Sequence, residues 1–213
     1  MPVDSDPRLR ALRDALWPER APVDERPDPG LDRLEAAVAL VIRAGVELDL
    51  LLIKRATHER DPWSGQMALP GGRFEEADPG LLHTAMRETL EETGVDLAGA
   101  GAPMGRLIDV APSSPQLPPM RIAPFVFAVP PGTEARVASP ELDSVHWVSL
   151  GLLTAPATAS TTRIHFSGFS KTFPSYHVVG EHVWGLTHRI LRGFFEHAPA
   201  GLWRDPHVPE VGP

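Results

Sequence analysis

The amino-acid sequence predicts a compact α/β or α+β sandwich, and three observations lead to this prediction. The chain has 213 residues, of which 42% are hydrophobic and 23% are charged, as in ordinary globular domains. Apolar runs of strand length alternate with two amphipathic helical segments. No internal repeat interrupts this mixture of elements. Strands mixed with helices in a chain of this size indicate a compact sandwich of helices packed on a sheet.

The chain is expected to divide into three parts. Residues 1–33 are predicted to be an N-terminal extension and linker, because prolines break the sequence up to Gly30. Within it, residues 6–16 place Leu9, Leu12 and Leu16 on one side of a short helix. A single domain is predicted over residues 34–197, followed by an irregular proline-containing tail over 198–213.

The elements of the domain follow from apolar patterning and from helix-ending residues. Apolar runs at 36–42 and 47–55 flank a short glycine turn and predict a β-hairpin. Further strands are predicted at 105–110, 120–129 and 144–148, and loops at 56–69 and 112–119. A helix is predicted over 79–93, with Asp78 as its cap and Gly94 as its end, and a second helix over 183–196.

Composition excludes several classes of protein. The chain has no cysteine, so disulfide scaffolds, thiolate metal sites and cysteine nucleophiles are excluded. Its net charge of -8 argues against a nucleic-acid partner, which calls for a basic patch. No apolar stretch approaches the ~18 residues of a membrane span. The charged N-terminus does not look like a secretory signal, so a cytoplasmic location without a membrane partner is expected.

The helix predicted over 79–93 carries an unusual acidic face. Glu88, Glu91 and Glu92 are related by i, i+3 and i, i+4 spacing, with Leu82, Met86, Leu90 and Thr93 expected on the opposite, apolar side. Like charges at this spacing cost a few tenths of a kcal/mol per pair. Three convergent carboxylates form a hard-oxygen site suited to Mg²⁺ or Mn²⁺. The alternative is a solvated acidic face without a ligand.

The segment GGRFEEADPGLLHTAMRETLEETGV, residues 71–95, resembles the Nudix box, G-x5-E-x7-R-E-U-x-E-E-x-G-U, in which U is apolar. The positions that match in register are Arg87, Glu88, Glu91, Glu92, Gly94 and Val95. Thr89 stands at an apolar position of the pattern. The interval from Gly72 to Arg87 is one residue longer than in the simplest box, so the upstream glutamate of the family corresponds to Glu76 or Asp78.

The resemblance implies a fold and a chemistry. Nudix proteins are α/β/α sandwiches with a mixed sheet, and they hydrolyse a nucleoside diphosphate linked to another moiety, X. By position in the box, Glu88, Glu91 and Glu92 would bind Mg²⁺ or Mn²⁺, with the carbonyl of Gly71 as a further ligand. Arg87 would hold the carboxylates in place by ion pairing.

The resemblance also extends to residues outside the box. Glu141, at the entry to a predicted strand, is the candidate base or extra ligand, with Asp143 and His146 as alternatives. Residues 51–72 resemble the segment before the box in coenzyme A pyrophosphatases. By this resemblance, Arg55 and Arg60 of this chain would bind a phosphate. The expected partner is therefore a small nucleoside diphosphate derivative, with coenzyme A or a derivative as the leading X. Assembly into a homodimer is also left open.

Other functions are weighed against this one. Nucleotide sugars, ADP-ribose and dinucleoside polyphosphates are alternative substrates, since specificity lies in loops such as 112–119 and 154–171. Aromatic residues that would stack on a base are Trp63, Phe166, Phe169 and Phe173. A non-catalytic nucleotide sensor would lack box glutamates, and RNA decapping would need a basic track. The nine histidines show no zinc motif, and no GxSxG elbow is present.

Overall fold

The computed structural model describes residues 5–16, 23–28, 30, 32–58, 63–112, 119–166, 168–199 and 201–203. The helices in these ranges are α1 (Pro7–Leu16), α2 (Leu81–Thr93), α3 (Leu150–Thr154) and α4 (Gly185–His197). The strands are β1 (Leu34–Ala44), β2 (Leu48–Arg55), β3 (Met67–Ala68), β4 (Gly71–Arg73), β5 (Ala102–Arg106), β6 (Met120–Val129), β7 (Leu142–Ser149), β8 (Ala159–Phe166), β9 (Phe169–Val178) and β10 (Glu181–Trp184). No helix of the described part is long and apolar enough to cross a bilayer.

A large mixed sheet forms the centre of the molecule. Within the described residues it has seven strands, in the order β3-β2-β1-β6-β5, with β4 paired to β1 and β7 paired to β2. β1 and β6 run parallel, and the other pairings of this sheet are antiparallel. The unbroken apolar run of β1 suits this central place, because a strand covered on both faces needs apolar residues throughout. The predicted β1–β2 hairpin is confirmed, closed by a Gly45 amide that donates to the Glu47 carbonyl at 2.9 Å.

Helices cover both faces of this sheet. Successive side chains of a strand point to opposite faces. In β1, Leu40 and Ile42 belong to a core that also contains the leucines of α1 and Phe194 of α4. Ala39 and Val41 belong to a second core that contains Leu81 and Ala85 of α2. The predicted α/β/α sandwich with a mixed sheet is therefore confirmed.

The helix α1 packs into the sandwich. Leu9, Leu12 and Leu16 are buried on one side of it, as the pattern predicts. The Arg8 guanidinium donates to the carbonyls of Gly45 and Val46, in the β1–β2 turn, at 2.7 and 2.9 Å. This part of the expected extension thus contributes to the core, while the expected three-part division of the chain stays a prediction.

Several element boundaries differ from expectation. β6 has the predicted bounds, but β5 lies earlier than 105–110, and Val110 forms only an isolated bridge with Ile122. β3 lies inside the expected loop at 56–69. α2 begins at Leu81 rather than Pro79, and Gly80 is its N-cap residue, so the prediction that Asp78 caps it is wrong. Gly94 ends α2 as predicted, in the left-handed conformation.

A smaller sheet is absent from the sequence prediction. β8, β9 and β10 form it in the order β10-β9-β8, and no strand is predicted at any of their residues, which include part of the expected loop over 154–171 and the start of the expected helix over 183–196. Val183 and Trp184 lie in β10 rather than in the predicted helix, because Gly185 has a φ of 64° that separates strand from helix. The single tyrosine, Tyr176 of β9, packs its ring 4.7 Å from that of His188 in α4.

Candidate active site

The site is built where β4 approaches the side of α2. Gly71 of β4 has a φ of 152°, and a Cβ there would overlap the Ala37 carbonyl and Val38 of β1. Only glycine fits this position without strain. The Gly71 amide donates to the Glu92 carboxylate at 2.9 Å, so the tight backbone path ties the strand to the helix.

Gly72 makes the second close approach. A Cβ at this residue would overlap the carboxylate of Glu88. The absence of a side chain thus lets the Glu88 carboxylate lie directly against the backbone of β4. Glu88 and Glu92 are one helical turn apart, so both carboxylates face the Gly71-Gly72 backbone.

Arg87 holds the acidic residues from the other side. Its guanidinium donates to Glu88 at 3.0 Å and to Glu91 at 3.2 Å. It also donates to the Arg73 carbonyl at 3.0 Å, which links α2 to the end of β4. The role expected for Arg87 from the resemblance, an ion pair that fixes the carboxylates, is consistent with these contacts.

Asp78 is the principal partner of Arg87. Its two carboxylate oxygens accept from the Arg87 Nε and Nη2 at 2.9 and 3.1 Å, and its side chain is only 5% exposed. The Thr84 hydroxyl and the Glu75 amide donate to the same carboxylate at 2.8 and 3.1 Å. Of the two acidic residues left open by the loop length, Asp78 is therefore the one that pairs with Arg87. This hydrogen-bonded position is the physical reason why Asp78 does not cap α2.

Burial changes the protonation of the acidic residues. Burial raises the pKa of Glu92 to about 8, although the Gly71 amide opposes the shift. Burial also raises the pKa of Glu88, against the effect of Arg87. The pKa of Asp78 is held below its ordinary value, because hydrogen bonds from Arg87, Glu75 and Thr84 outweigh its burial. The Asp78 hydrogen bond raises the pKa of Arg87, so this ion pair stays charged.

The expected apolar stripe of α2 is partly wrong. Leu90 is exposed, whereas Glu92, Thr89 and Thr84 are buried. Leu82 and Met86 do pack against the core on this face of the sheet. The helix is rotated so that its acidic edge turns towards β4, and Glu91 stays 56% exposed at the rim. Thr89 satisfies its buried hydroxyl by donating to the Ala85 carbonyl at 2.7 Å.

A cleft of about 650 Å³ opens over these carboxylates. Glu88, Glu91 and Glu92 line one side of it together with Gly71 and Gly72. An apolar wall of the cleft comes from distant parts of the chain, namely Val38, Trp63, Met120, Ile122 and Leu186. Trp63, one of the candidate stacking residues, thus lines this cleft. The sequence gives no signal for Met120 or Leu186, because only the tertiary fold brings them here.

Arg55, at the end of β2, lies between two acidic residues of the cleft. Its guanidinium nitrogens are 4.0 Å from the carboxylates of Glu92 and of Glu141. Glu141 is 69% exposed and lines the cleft, while Asp143 is not among the lining residues. His146 forms a hydrogen bond of 2.7 Å with Ser144 instead. Arg60 lies outside the described residues, as do residues 113–118 of the predicted loop over 112–119.

The donor chemistry suits a hard cation, but the carboxylates are not gathered into a coordination shell. Across the ranges that the structure describes, no three His, Asp or Glu side chains are arranged to hold a metal ion. Glu91 turns to Arg87, and Glu92 turns to the Gly71 amide. Buried carboxylates are costly unless they are paired or bind a metal. The Glu88 carboxylate adds to the burial that raises the pKa of Glu92, so a cation beside these two carboxylates would favour their charged forms.

Comparison with known proteins places this site in a family. A model of the NUDIX domain matches residues 32–167, well over half of the chain. The chain belongs to the Nudix family. The matched range contains the whole Gly71–Val95 segment, β1 to β7 and the first strand of the smaller sheet.

Similar sequences include other Nudix hydrolases. NudL of Salmonella paratyphi B, an uncharacterised Nudix hydrolase, is 28% identical over 165 residues, which cover 76% of this chain and 81% of that protein. An uncharacterised protein of Schizosaccharomyces pombe is 35% identical over 131 residues, or 60% of this chain and 40% of that protein. This chain therefore matches less than half the length of the yeast protein. The domain and these relatives support a pyrophosphohydrolase activity.

Solved structures share the fold at low identity. A MutT/Nudix protein from Enterococcus faecalis superposes with a TM-score of 0.51 at 16% identity, covering 81% of this chain and 64% of that one. A bifunctional NMN adenylyltransferase/ADP-ribose pyrophosphatase from Francisella tularensis gives a TM-score of 0.53 at 19% identity, covering 84% of this chain and 44% of that one. At such identities the likeness concerns the Nudix fold alone.

Proposed function

We propose that this Nudix hydrolase cleaves the diphosphate bond of a nucleoside diphosphate linked to another moiety, X, with a divalent cation. One observation carries the proposal. The carboxylates of Glu88 and Glu92 face the Gly71-Gly72 backbone on one side of a cleft of about 650 Å³, with Glu91 at its rim. A cleft of this volume suits a ligand of nucleotide size.

The acidic set favours Mg²⁺ or Mn²⁺, because both prefer oxygen ligands. Glu88, Glu91, Glu92 and the carbonyl of Gly71 would hold the cation. A bound cation would neutralise the phosphates, polarise the P–O bond and lower the pKa of a water molecule. Without one, a diphosphate would meet the repulsion of these carboxylates and of a chain with a net charge of -8.

The remaining groups have roles that follow from their positions. Arg87 keeps Glu88 and Glu91 oriented through its hydrogen bonds. Arg55 would donate to a phosphate oxygen once substrate enters between Glu92 and Glu141. Glu141, exposed at the cleft, would accept the proton of the attacking water. The water oxygen forms a bond to phosphorus, the P–O bond to the bridging oxygen breaks, and two phosphorylated products leave.

Coenzyme A or a derivative is the leading proposal for X. The resemblance of residues 51–72 to coenzyme A pyrophosphatases supports it, and so does the one-residue insertion between Gly72 and Arg87, in which the chain also resembles that branch of the family. The apolar wall formed by Trp63, Met120, Ile122 and Leu186 would suit a moiety with little charge. A cytoplasmic location, a homodimer and the absence of a nucleic-acid partner stay predictions from the sequence.

A substrate panel tests the proposal. The purified chain is incubated with Mg²⁺ and, in separate reactions, with coenzyme A, ADP-ribose, a nucleotide sugar, a diadenosine polyphosphate and an oxidised nucleoside triphosphate. Products are identified by mass spectrometry. We expect 4'-phosphopantetheine and an adenosine bisphosphate from coenzyme A. Hydrolysis of a different compound would support the proposed hydrolase activity and would refute coenzyme A as the substrate.

Matched variants show whether the box does the chemistry. Glu92→Gln should lower turnover by several orders of magnitude through loss of metal binding. Glu196→Gln is the control, since it makes the same change at a glutamate on the exposed face of α4, where Glu196 pairs with Arg192 at i, i+4 spacing. Full activity of Glu92→Gln would refute the assignment of the site. Binding of a panel compound without turnover would support the nucleotide-sensing alternative.

A further inference from the structure

The N-terminal end of α2 is capped from outside the helix. Gly80, the N-cap residue, supplies no side-chain hydrogen bond, so the first amides of α2 need other acceptors. The Leu81 amide donates to the Glu25 carbonyl at 2.9 Å. The Leu82 amide donates to the Asp24 carboxylate, also at 2.9 Å. Asp24 thus performs the capping role that a residue next to the helix usually performs.

The same segment, residues 23–28, also holds the loop before α2. The Arg26 guanidinium donates to the carbonyls of Glu76 and Asp78 at 3.1 and 3.4 Å. Its charge lies over the ring of Phe74, 5.7 Å from the ring centre. The backbone on both sides of the Asp78 carboxylate is therefore tied to the segment 23–28.

Ion pairs fasten the segment 23–28 to the sheet. The Glu25 carboxylate accepts from Arg106 of β5 at 2.8 Å and from Arg121 of β6 at 3.1 Å. The Arg106 hydrogen bond holds the pKa of Glu25 below its ordinary value, so this anchor stays charged at neutral pH. Since β5 and β6 belong to the central sheet, the cap of α2 rests on a rigid base.

Gly80 provides independent support for a close fit. Its φ of -173° is ordinary extended backbone, so its conformation does not require glycine. A Cβ there would instead overlap the Asp24 carboxylate and lie 2.9 Å from the Glu25 carbonyl. The glycine is needed because the segment 23–28 passes directly over it.

We propose that Asp24 and Arg26 are positioning residues of the active site. They fix the start of α2 and the loop that carries Asp78. Asp78 in turn fixes Arg87, and Arg87 orients Glu88 and Glu91. Neither Asp24 nor Arg26 lines the cleft, so they would act only through this chain of contacts. The inference rests on the proposed function, because it takes Glu88 and Glu91 as cation ligands.

The test compares Asp24→Ala, Asp24→Asn and Gly80→Ala with the full-length wild-type chain, well below their unfolding temperatures. Mn²⁺ binding is followed by the electron paramagnetic resonance signal of the free ion. Because outer partners of metal ligands contribute up to one or two orders of magnitude, we expect Asp24→Ala to weaken Mn²⁺ binding about three- to tenfold. Asp24→Asn retains an acceptor for the Leu82 amide and should stay within about twofold of wild type. Gly80→Ala should resemble Asp24→Ala.

A second readout needs no metal. Hydrogen exchange of the Leu81 and Leu82 amides in the metal-free chain should be about fivefold faster in Asp24→Ala, as expected for a lost cap. Asp28→Ala is the control, since it removes the same charge from the same segment, where the exposed Asp28 carboxylate accepts a local hydrogen bond from the Gly30 amide.

The outcomes separate the two proposals. Asp24→Ala with unchanged Mn²⁺ binding would overturn the positioning inference, even if amide exchange is faster. If the wild-type chain binds no Mn²⁺, the proposed metal chemistry fails. In that case, unchanged amide exchange in Asp24→Ala would also refute the inference that Asp24 caps α2, whereas faster exchange would support that cap. A loss of Mn²⁺ binding in Asp28→Ala equal to that in Asp24→Ala would also refute the inference, because charge alone would explain both.

Discussion

Asp78→Ala tests the ion pair that organises the site. The substitution removes four hydrogen bonds at a nearly buried carboxylate: two from Arg87 and one each from Thr84 and the Glu75 amide. Breaking a buried ion pair by removing one partner costs about 3–5 kcal/mol. Arg87 keeps Glu88, Glu91 and the Arg73 carbonyl as partners, so the lower end applies, about 3 kcal/mol.

Thermal and urea unfolding measure this effect. For a chain of this size, a loss of about 3 kcal/mol lowers the Tm by about 6–12 °C. Asp96→Ala is the matched control, because Asp96 is exposed and accepts one hydrogen bond, from the Gly99 amide at 2.9 Å. It should change the free energy of unfolding by less than about 1 kcal/mol. A loss of under 1 kcal/mol in Asp78→Ala, equal to the control, would show that the pair contributes no stability and would refute the reasoning.

Three further predictions concern stability, substrate binding and pH. Leu12→Ala should lower the free energy of unfolding by about 2–5 kcal/mol, because Leu12 is fully buried, whereas Val46→Ala at an exposed turn should change little; urea unfolding measures both. Arg55→Ala should raise KM more than it lowers kcat if Arg55 binds a phosphate, and an unchanged KM would contradict that role. The stability difference between wild type and Asp78→Asn should be constant above about pH 5 and shrink as the pH falls through the lowered pKa of Asp78, because the unfolded carboxyl then binds protons first; equal differences at pH 7 and pH 3 would contradict this.

The sequence predicts which residues form this site better than it predicts how they are oriented and buried in the fold. Glu88, Glu91 and Glu92 are identified by spacing on one helix, and spacing survives folding. The spacing does not determine which side of α2 faces the sheet. Leu90 is expected in the core but is exposed, whereas Glu92 is expected on the acidic surface but is buried. A helical wheel fixes the angles between residues but not the rotation of the helix against its neighbours.

Elements without a one-sided hydrophobic pattern are the ones that the sequence misses. Much of β8 and β9 is exposed, so their residues show no clear alternation that would predict strands. The contacts of Asp24 and Arg26 join residues fifty or more positions apart, and nothing in the local sequence indicates them. The same holds for the wall of the cleft at Met120 and Leu186. By contrast, α1 is predicted from its three leucines, because its buried side is continuous.

The position of α1 has a consequence for the order of folding during synthesis. A helix of ten residues is too short to be stable alone in water. Its leucines join a core that includes Met104 of β5 and Phe194 of α4, both of which leave the ribosome much later. We therefore expect the residues of α1 to stay unfolded until β5 and α4, against which they pack, have been synthesised. A helix near the start of the sequence would thus be among the last parts of the molecule to form.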